Sequence, residues 1–341
     1  MPNEFAHKQT GKGNCPSHNN IMKIQSLKLH NFRCFDEKEF QFHDKITIIN
    51  EFGRSSILDA LSIAAGTFFR GLYGFSGKPP FICQTDSNGC YPVEICAEGY
   101  LDETSVQWKR KSNNPKDKYN FSGCKEIIAV STDCQKRLSS GDNTLILPII
   151  AKYSFSKMQE YSIGYCVDFE LVNTRSNGYI DALTGISNKN HISYWFIKTY
   201  VTERQRMEEV SSYEIPEANA VYNVINRCIE KFTGYTDVHT DYKISAGKLF
   251  TSYYDTNIMT NRSVPLYDMI GNLKSTIDII IDICCRMSML NPQLLANITE
   301  TPGIILIDDI DLSPYANFPE ILKKLFPNVQ FILTLHEILH I

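Results

Sequence analysis

From Met22 onward the spacing of apolar residues sets out the elements of the chain. In IQSLKLHNF, Ile24, Leu27 and Leu29 recur among polar residues as in a strand; FQF at 40–42 predicts a second strand and KITIIN a third. Over 54–69 the period becomes helical, with Ile57, Leu61, Ala64 and Phe68 on one face. Two more strands are expected over 93–109, around Tyr100-Leu101, and the polar loop KSNNPKDKYN follows from Lys111. A helix over about 124–138 leads into TLILPIIAKY, which reads as a buried strand. Residues 156–190 are irregular and rich in Ser, Asn and Gly. Helical spacing returns over 190–232 with a break at Pro216, short strands follow over 235–265, and an isoleucine-dense helix spans 271–290. The chain closes on a tight α/β unit: strand GIILID, helix FPEILKKLF, strand VQFILT. There is no internal repeat and no sustained heptad.

Composition narrows the class. With 341 residues and 43% apolar content the chain can form one large α/β domain with an inserted subdomain, or two modest domains. Residues 1–21 are polar and read as a disordered leader. A net charge of −4 argues against a surface coated for nucleic acid, so any such contact would be a local patch. The best local candidate is Lys109-Arg110-Lys111, flanked by Trp108, Lys116 and Lys118; its plain alternative is a solvated face. Eleven cysteines lack zinc-site spacing at Cys83, Cys90 and Cys96, and the Cys284-Cys285 pair falls in an apolar run. Reduced, structural cysteines in a cytoplasmic protein are expected. No apolar run approaches the ~18 residues of a membrane span, and no signal peptide is visible.

Two segments carry candidate chemistry. Residues 46–61, ITIINEFGRSSILDAL, run from strand through a turn into a helix, the context of a phosphate-binding P-loop. The spacing GxxxxGK[ST] falls on Ile48 to Ser55, with Ile48 at the first glycine and Arg54 at the lysine. Residual phosphate binding at the helix N-terminus competes here with a plain helix start capped by Ser55 or Ser56. In GIILIDDIDL, at 303–312, an apolar strand ends on Asp308 and Asp309. Beside a P-loop strand, such a carboxylate reaches the magnesium of a bound nucleotide. About 25 residues later FILTLH ends a further strand on His336.

P-loop, Walker B carboxylates and a terminal histidine in this order resemble the ABC-type ATPase heads of the SMC and RecF kind, as does the opening MKIQSLKLHNFRCF. LPIIAKY, NGYIDAL, CRMSMLNPQL, TPGIILIDDIDL and FPNVQFILT look closer still to the ATPases of bacterial anti-phage systems of the Septu type, including retron-associated ones. The resemblance covers residues 22–341. It implies an α/β P-loop NTPase of ABC-head type, a mixed sheet with a β-rich lobe and a helical insertion, and no long coiled coil. The expected division is a leader at 1–21, an N-terminal head part at 22–154, an insert at 155–265 and a C-terminal head part at 266–341. The implied cofactors are ATP and Mg2+. Arg33, Asn50, Gly53, Arg54, Ser55 and Ser56 would bind the nucleotide, Ser55 and Asp308 the metal, and Asp308, Asp309 and His336 would serve catalysis. The resemblance also implies a separate HNH-type partner nuclease and a nucleic-acid or retron RNA–DNA element. Homo- or hetero-oligomers are a further expectation, and the lack of a long apolar run leads to the expectation of no membrane partner.

The chain departs from that pattern at linked places. The family loop reads like G-x-N-G-x-G-K-S-S; here Ile48, Glu51 and Arg54 replace Gly, Gly and Lys. A β-branched residue takes φ > 0 only under strain, Glu51 sets a carboxylate where triphosphate would lie, and the fork of Arg54 is bulkier than an ammonium. The ABC signature, LSDGYR in the family, falls on Met269–Lys274, with Ile270 for the serine and Asn272 for the glycine. Asp309 is one methylene shorter than the general-base glutamate, and the chain stops at Ile341, where relatives continue. The expected function is a degenerate, hydrolysis-deficient ATPase subunit acting as scaffold or sensor for a partner nuclease. The alternatives are an active ATPase coupling nucleotide-driven dimerisation to nucleic-acid processing, and a poorly stable product of a decayed gene.

Overall fold

The computed structural model describes residues 22–72, 79–101, 104–117, 120–160, 175–270, 273–310 and 317–335. The 1–21 segment and His336 lie outside the described residues. The mixed α/β architecture expected from the sequence is present, in three sheets. The first is antiparallel, in the order β2 (Phe35–Gln41), β1 (Lys23–Phe32), β4 (Val93–Leu101), β5 (Thr104–Ser112). The second is parallel, in the order β3 (Ile46–Ile49), β11 (Val329–Leu335), β10 (Gly303–Ile310), β6 (Ile149–Ser154). Strands β6, β10 and β11 are buried almost throughout, as a parallel sheet covered on both faces requires. The third is a meander of β7 (Thr236–Lys243), β8 (Lys248–Asp255) and β9 (Thr260–Pro265).

Helix α1 (Arg54–Ala65) lies between the first two sheets, and its predicted face (Ile57, Leu61, Ala64, with Phe68 beyond it) is fully buried. Strand β5 closes over its C-terminal end, where the Trp108 indole donates to Ala64 O at 3.1 Å. Gln330 stitches the sheets together: its Oε1 accepts the Ile24 N–H at 2.9 Å and its Nε2 donates to Ile24 O at 2.8 Å. A 3-10 turn, Gly66–Gly71, continues α1 and packs against α2 (Lys125–Ser139).

TLILP does not join the predicted strand; β6 starts only at Ile149. Pro148 has no N–H to offer a ladder. The Leu147 N–H and C=O are taken instead by the side chain of Asn291, at 2.8 and 2.9 Å. Helix α3 (Phe155–Glu160) follows β6. The break in the long helical stretch separates α4 (Lys189–Met207) from α5 (Pro216–Thr233). Pro216 opens α5, at a position where a missing N–H has no consequence.

After α6 (Leu266–Ile270), α7 (Lys274–Leu290) is buried all round from Ser275 to Ser288. It carries a polar stripe of Asp278, Asp282 and Arg286, four residues apart; Tyr267 donates to Asp278 Oδ1 at 2.5 Å, and the Lys189 ammonium lies 3.6 Å from Oδ2. Asp282 accepts from Tyr153 (2.6 Å), Arg286 (2.6 Å) and Ser187 (3.1 Å), and Arg286 donates to Gly178 O and Ile180 O, both at 2.8 Å. Helix α8 (Phe318–Leu325) then connects β10 and β11 on their way round the parallel sheet. Cys284 and Cys285 lie in the core, neither of them in a disulfide. Among those residues, too, no helix is long and apolar enough to cross a membrane.

Candidate nucleotide site

Strand β3 delivers the chain to the turn before α1. Ile48, at the consensus first glycine, is an ordinary β3 residue paired with Leu333, so the strain expected of an isoleucine there does not arise. The turn comes later, at Gly53 (φ 78), which is the N-cap of α1 without any side-chain cap. An added Cβ at Gly53 would stand 2.6 Å from both Cys34 Sγ and Phe35 Cζ, so glycine is required by space as well as by conformation. Ser55 and Ser56 do not cap the helix: the Ser55 hydroxyl donates across to Asp308 Oδ1 at 3.1 Å. Asn50 is exposed, and Arg54 and Ser56 are half-buried. Ile48 (45% exposed) and Phe52 (82%) give the loop an apolar rim, while the Glu51 carboxylate lies 3.6 Å from Lys38 of β2.

The acidic strand end contains a β-bulge. Ile307 pairs with Leu333 and Ile310 with Leu335, so Asp308 and Asp309 together oppose Thr334 alone. Asp309 sits at φ 56, unusual for a residue with a Cβ. The fully buried Thr334 hydroxyl fills the bulge, donating to Asp308 Oδ1 at 2.5 Å and accepting the Asp309 N–H at 2.9 Å. Among the described residues none donates to Asp308 Oδ2.

Arg33 is committed to carboxylates. Its guanidinium meets Asp59 of α1 at 2.5 Å and Asp86 at 2.9 Å, while Lys152 of β6 pairs with the other oxygen of Asp59. Three distant segments thus meet on the helix that follows the loop. At the signature position, Ile270 is only 3% exposed at the end of α6, Leu273 is buried, and Lys274 begins α7; residues 271–272 lie outside the described set. The basic run divides by strand alternation. Lys109 and Lys111 pair with Glu94, at 2.9 and 3.1 Å. Arg110 points inward, with its guanidinium 4.1 Å from the Phe121 ring centroid and a hydrogen bond to Pro80 O at 3.0 Å. Burial pulls the Arg110 pKa down to about 10.

Ser55 Oγ and Asp308 Oδ1 fit a magnesium ion. Two oxygens at about 2.1 Å from one octahedral cation, in adjacent positions, stand about 3 Å apart, close to the separation found here. For the phosphates the loop offers Gly53 in the left-handed region, the positive charge of Arg54 and the N-terminal end of α1, where the Arg54 N–H itself is turned back to Glu51 O at 3.2 Å. A metal bound there would neutralise phosphate charge. Thr334, Asp59 and Lys152 were not singled out from sequence, because each matters only through a partner brought close by folding. For Arg110 a signal existed, since it alternates with Val106 and Trp108 on the buried face of β5.

The chain is similar to a Vibrio cholerae serotype O1 biovar El Tor protein named "Retron Vc95 probable ATPase", with 23% identity over 92% of this chain and 70% of that one. Among solved structures it is similar to an SMC head bound to the C-winged helix domain of ScpA, with 13% identity, 92% and 90% coverage of the two chains and a TM-score of 0.45. It is also similar to the recombination mediator protein RecF with ATP, with 12% identity, 93% and 94% coverage and a TM-score of 0.42. An AAA domain model, AAA_23, matches residues 26–231, more than half of the sequence. The chain belongs to the AAA_23 family of AAA domains.

Proposed function

We propose that this chain is a hydrolysis-deficient ATPase subunit of ABC-head type in a retron-associated anti-phage system. It acts in the cytoplasm as a scaffold or sensor that restrains a separate nuclease, of HNH type by resemblance. The observation that carries the reading is the Ser55–Asp308 contact of 3.1 Å inside a loop that has lost two glycines and its lysine. The metal-holding pair persists while the parts that grip and cut the triphosphate have changed. Asp309 in place of a glutamate removes reach from the general-base position, and buried Ile270 removes the hydroxyl that would recognise a nucleotide across a dimer. The similarity to the retron-associated protein supports the defence setting.

Calorimetric titration with ATP and magnesium tests the nucleotide part. A Kd in the low micromolar range, without turnover, is the expected result; no heat at millimolar ATP would leave only a scaffold. Turnover that Asp308→Ala and Arg54→Ala both abolish would sink the hydrolysis-deficient reading. Purification together with the products of neighbouring genes tests the partner: a co-purifying nuclease is expected.

A further inference from the structure

We infer that Thr334 is a positioning residue for the metal site, an inference that rests on the proposed magnesium–nucleotide reading. In a regular strand, successive side chains point to opposite faces. The bulge at Asp308-Asp309 breaks that alternation and costs a backbone pairing, with Asp309 held at φ 56. The Thr334 side chain replaces what is lost. Its oxygen accepts the Asp309 N–H at 2.9 Å, and its single proton goes to Asp308 Oδ1 at 2.5 Å. Because a hydroxyl has only one proton, the two bonds fix each other's direction. Ser55 donates to that same Oδ1 from α1, so two hydroxyls turn one carboxylate oxygen toward the loop. Asp308 is therefore held in one rotamer before any cation arrives, and Thr334 sets that rotamer without touching metal or nucleotide. Hydrogen-bond partners of metal-ligating carboxylates typically contribute about 10–100-fold to metal affinity.

Valine has the shape of threonine without the hydroxyl, and serine has the hydroxyl without the methyl. ATP affinity is measured by calorimetry for the full chain, once with magnesium and once with EDTA, for the wild type, Thr334→Val and Thr334→Ser. Magnesium is expected to tighten ATP binding to the wild type and to Thr334→Ser. In Thr334→Val that tightening is expected to fall by about tenfold or more, with the EDTA affinity unchanged. A merely structural loss would lower both affinities together and would overturn the assignment. So would a valine chain with the wild-type magnesium effect. If Thr334→Val does not fold, Thr334→Cys, whose thiol fits the space but donates weakly, takes its place with the same criterion. A wild type indifferent to magnesium overturns the nucleotide reading itself, and the role of Thr334 falls with it. A magnesium-responsive wild type beside an unaltered variant overturns only the latter.

Discussion

His191 shows how a buried residue ties stability to pH. It lies on α4, 6% exposed, and burial together with the nearby Arg286 charge lowers its pKa to about 4, against the opposing pull of Asp282 and Asp181. Above the unfolded value of about 6.5 both states hold a neutral ring, so the contribution is complete there. As pH falls from 6.5 toward 4, the unfolded chain takes a proton that the folded chain refuses, and stability is lost. The full loss is on the order of 3 kcal/mol, at 1.36 kcal/mol per pKa unit. His191→Gln should flatten this part of the profile. Chemical denaturation at several pH values measures it, and the difference between the two chains isolates His191 from carboxylates titrating in the same range. Parallel profiles for the two chains would refute it. The sequence places His191 in a helical stretch but gives no sign of the charges around it, because Arg286 and Asp282 come from almost a hundred residues away.

Helix α1 is the element on which the candidate site depends, and Asp59 anchors it. Burial works to raise the Asp59 pKa, but Lys152 and Arg33 outweigh it and hold the carboxyl below the usual range. The resulting stabilisation is present above the unfolded pKa of about 3.9 and is lost as pH falls through the lower folded value. Asp59→Asn should cost about 1.5–3 kcal/mol, the range for hydrogen bonds to charged groups, with more from the nearly buried Lys152 left without a carboxylate. Urea denaturation checks this, and a loss of under about 0.5 kcal/mol would show the clamp to be idle. The helix itself was legible, because its apolar face repeats at helical spacing. Its clamp was not, since residues 33, 59 and 152 share no local pattern. The same contrast holds at the acidic strand end. The run GIILID announces a buried strand, but the bulge within it depends on Thr334 of another strand. TLILP shows the reverse case: apolar enough for a strand, it was drawn out of the sheet by Pro148 and Asn291.

For the whole molecule the question is whether ATP can join two copies. ABC-type heads are expected, from the resemblance, to trap nucleotide between one copy's loop and the other's signature. That requires a polar, accessible signature, and here Ile270 is packed at the end of α6 with Leu273 buried beside it. Turning Ile270 outward would expose a large apolar side chain and leave a cavity, a combined cost of about 2–5 kcal/mol, with no hydroxyl gained. On the loop side, the apolar rim of Ile48 and Phe52 gives a partner surface to bury but no group with which to read a phosphate. Adding ATP and magnesium should therefore leave the mass in solution unchanged. Sedimentation velocity with and without nucleotide, over a range of protein concentrations, measures this. A shift from one copy to two that depends on ATP would overturn the prediction and favour an active, dimerising ATPase. Association that is the same with and without ATP would fit a scaffold, because contacts through the exposed rim do not need a nucleotide.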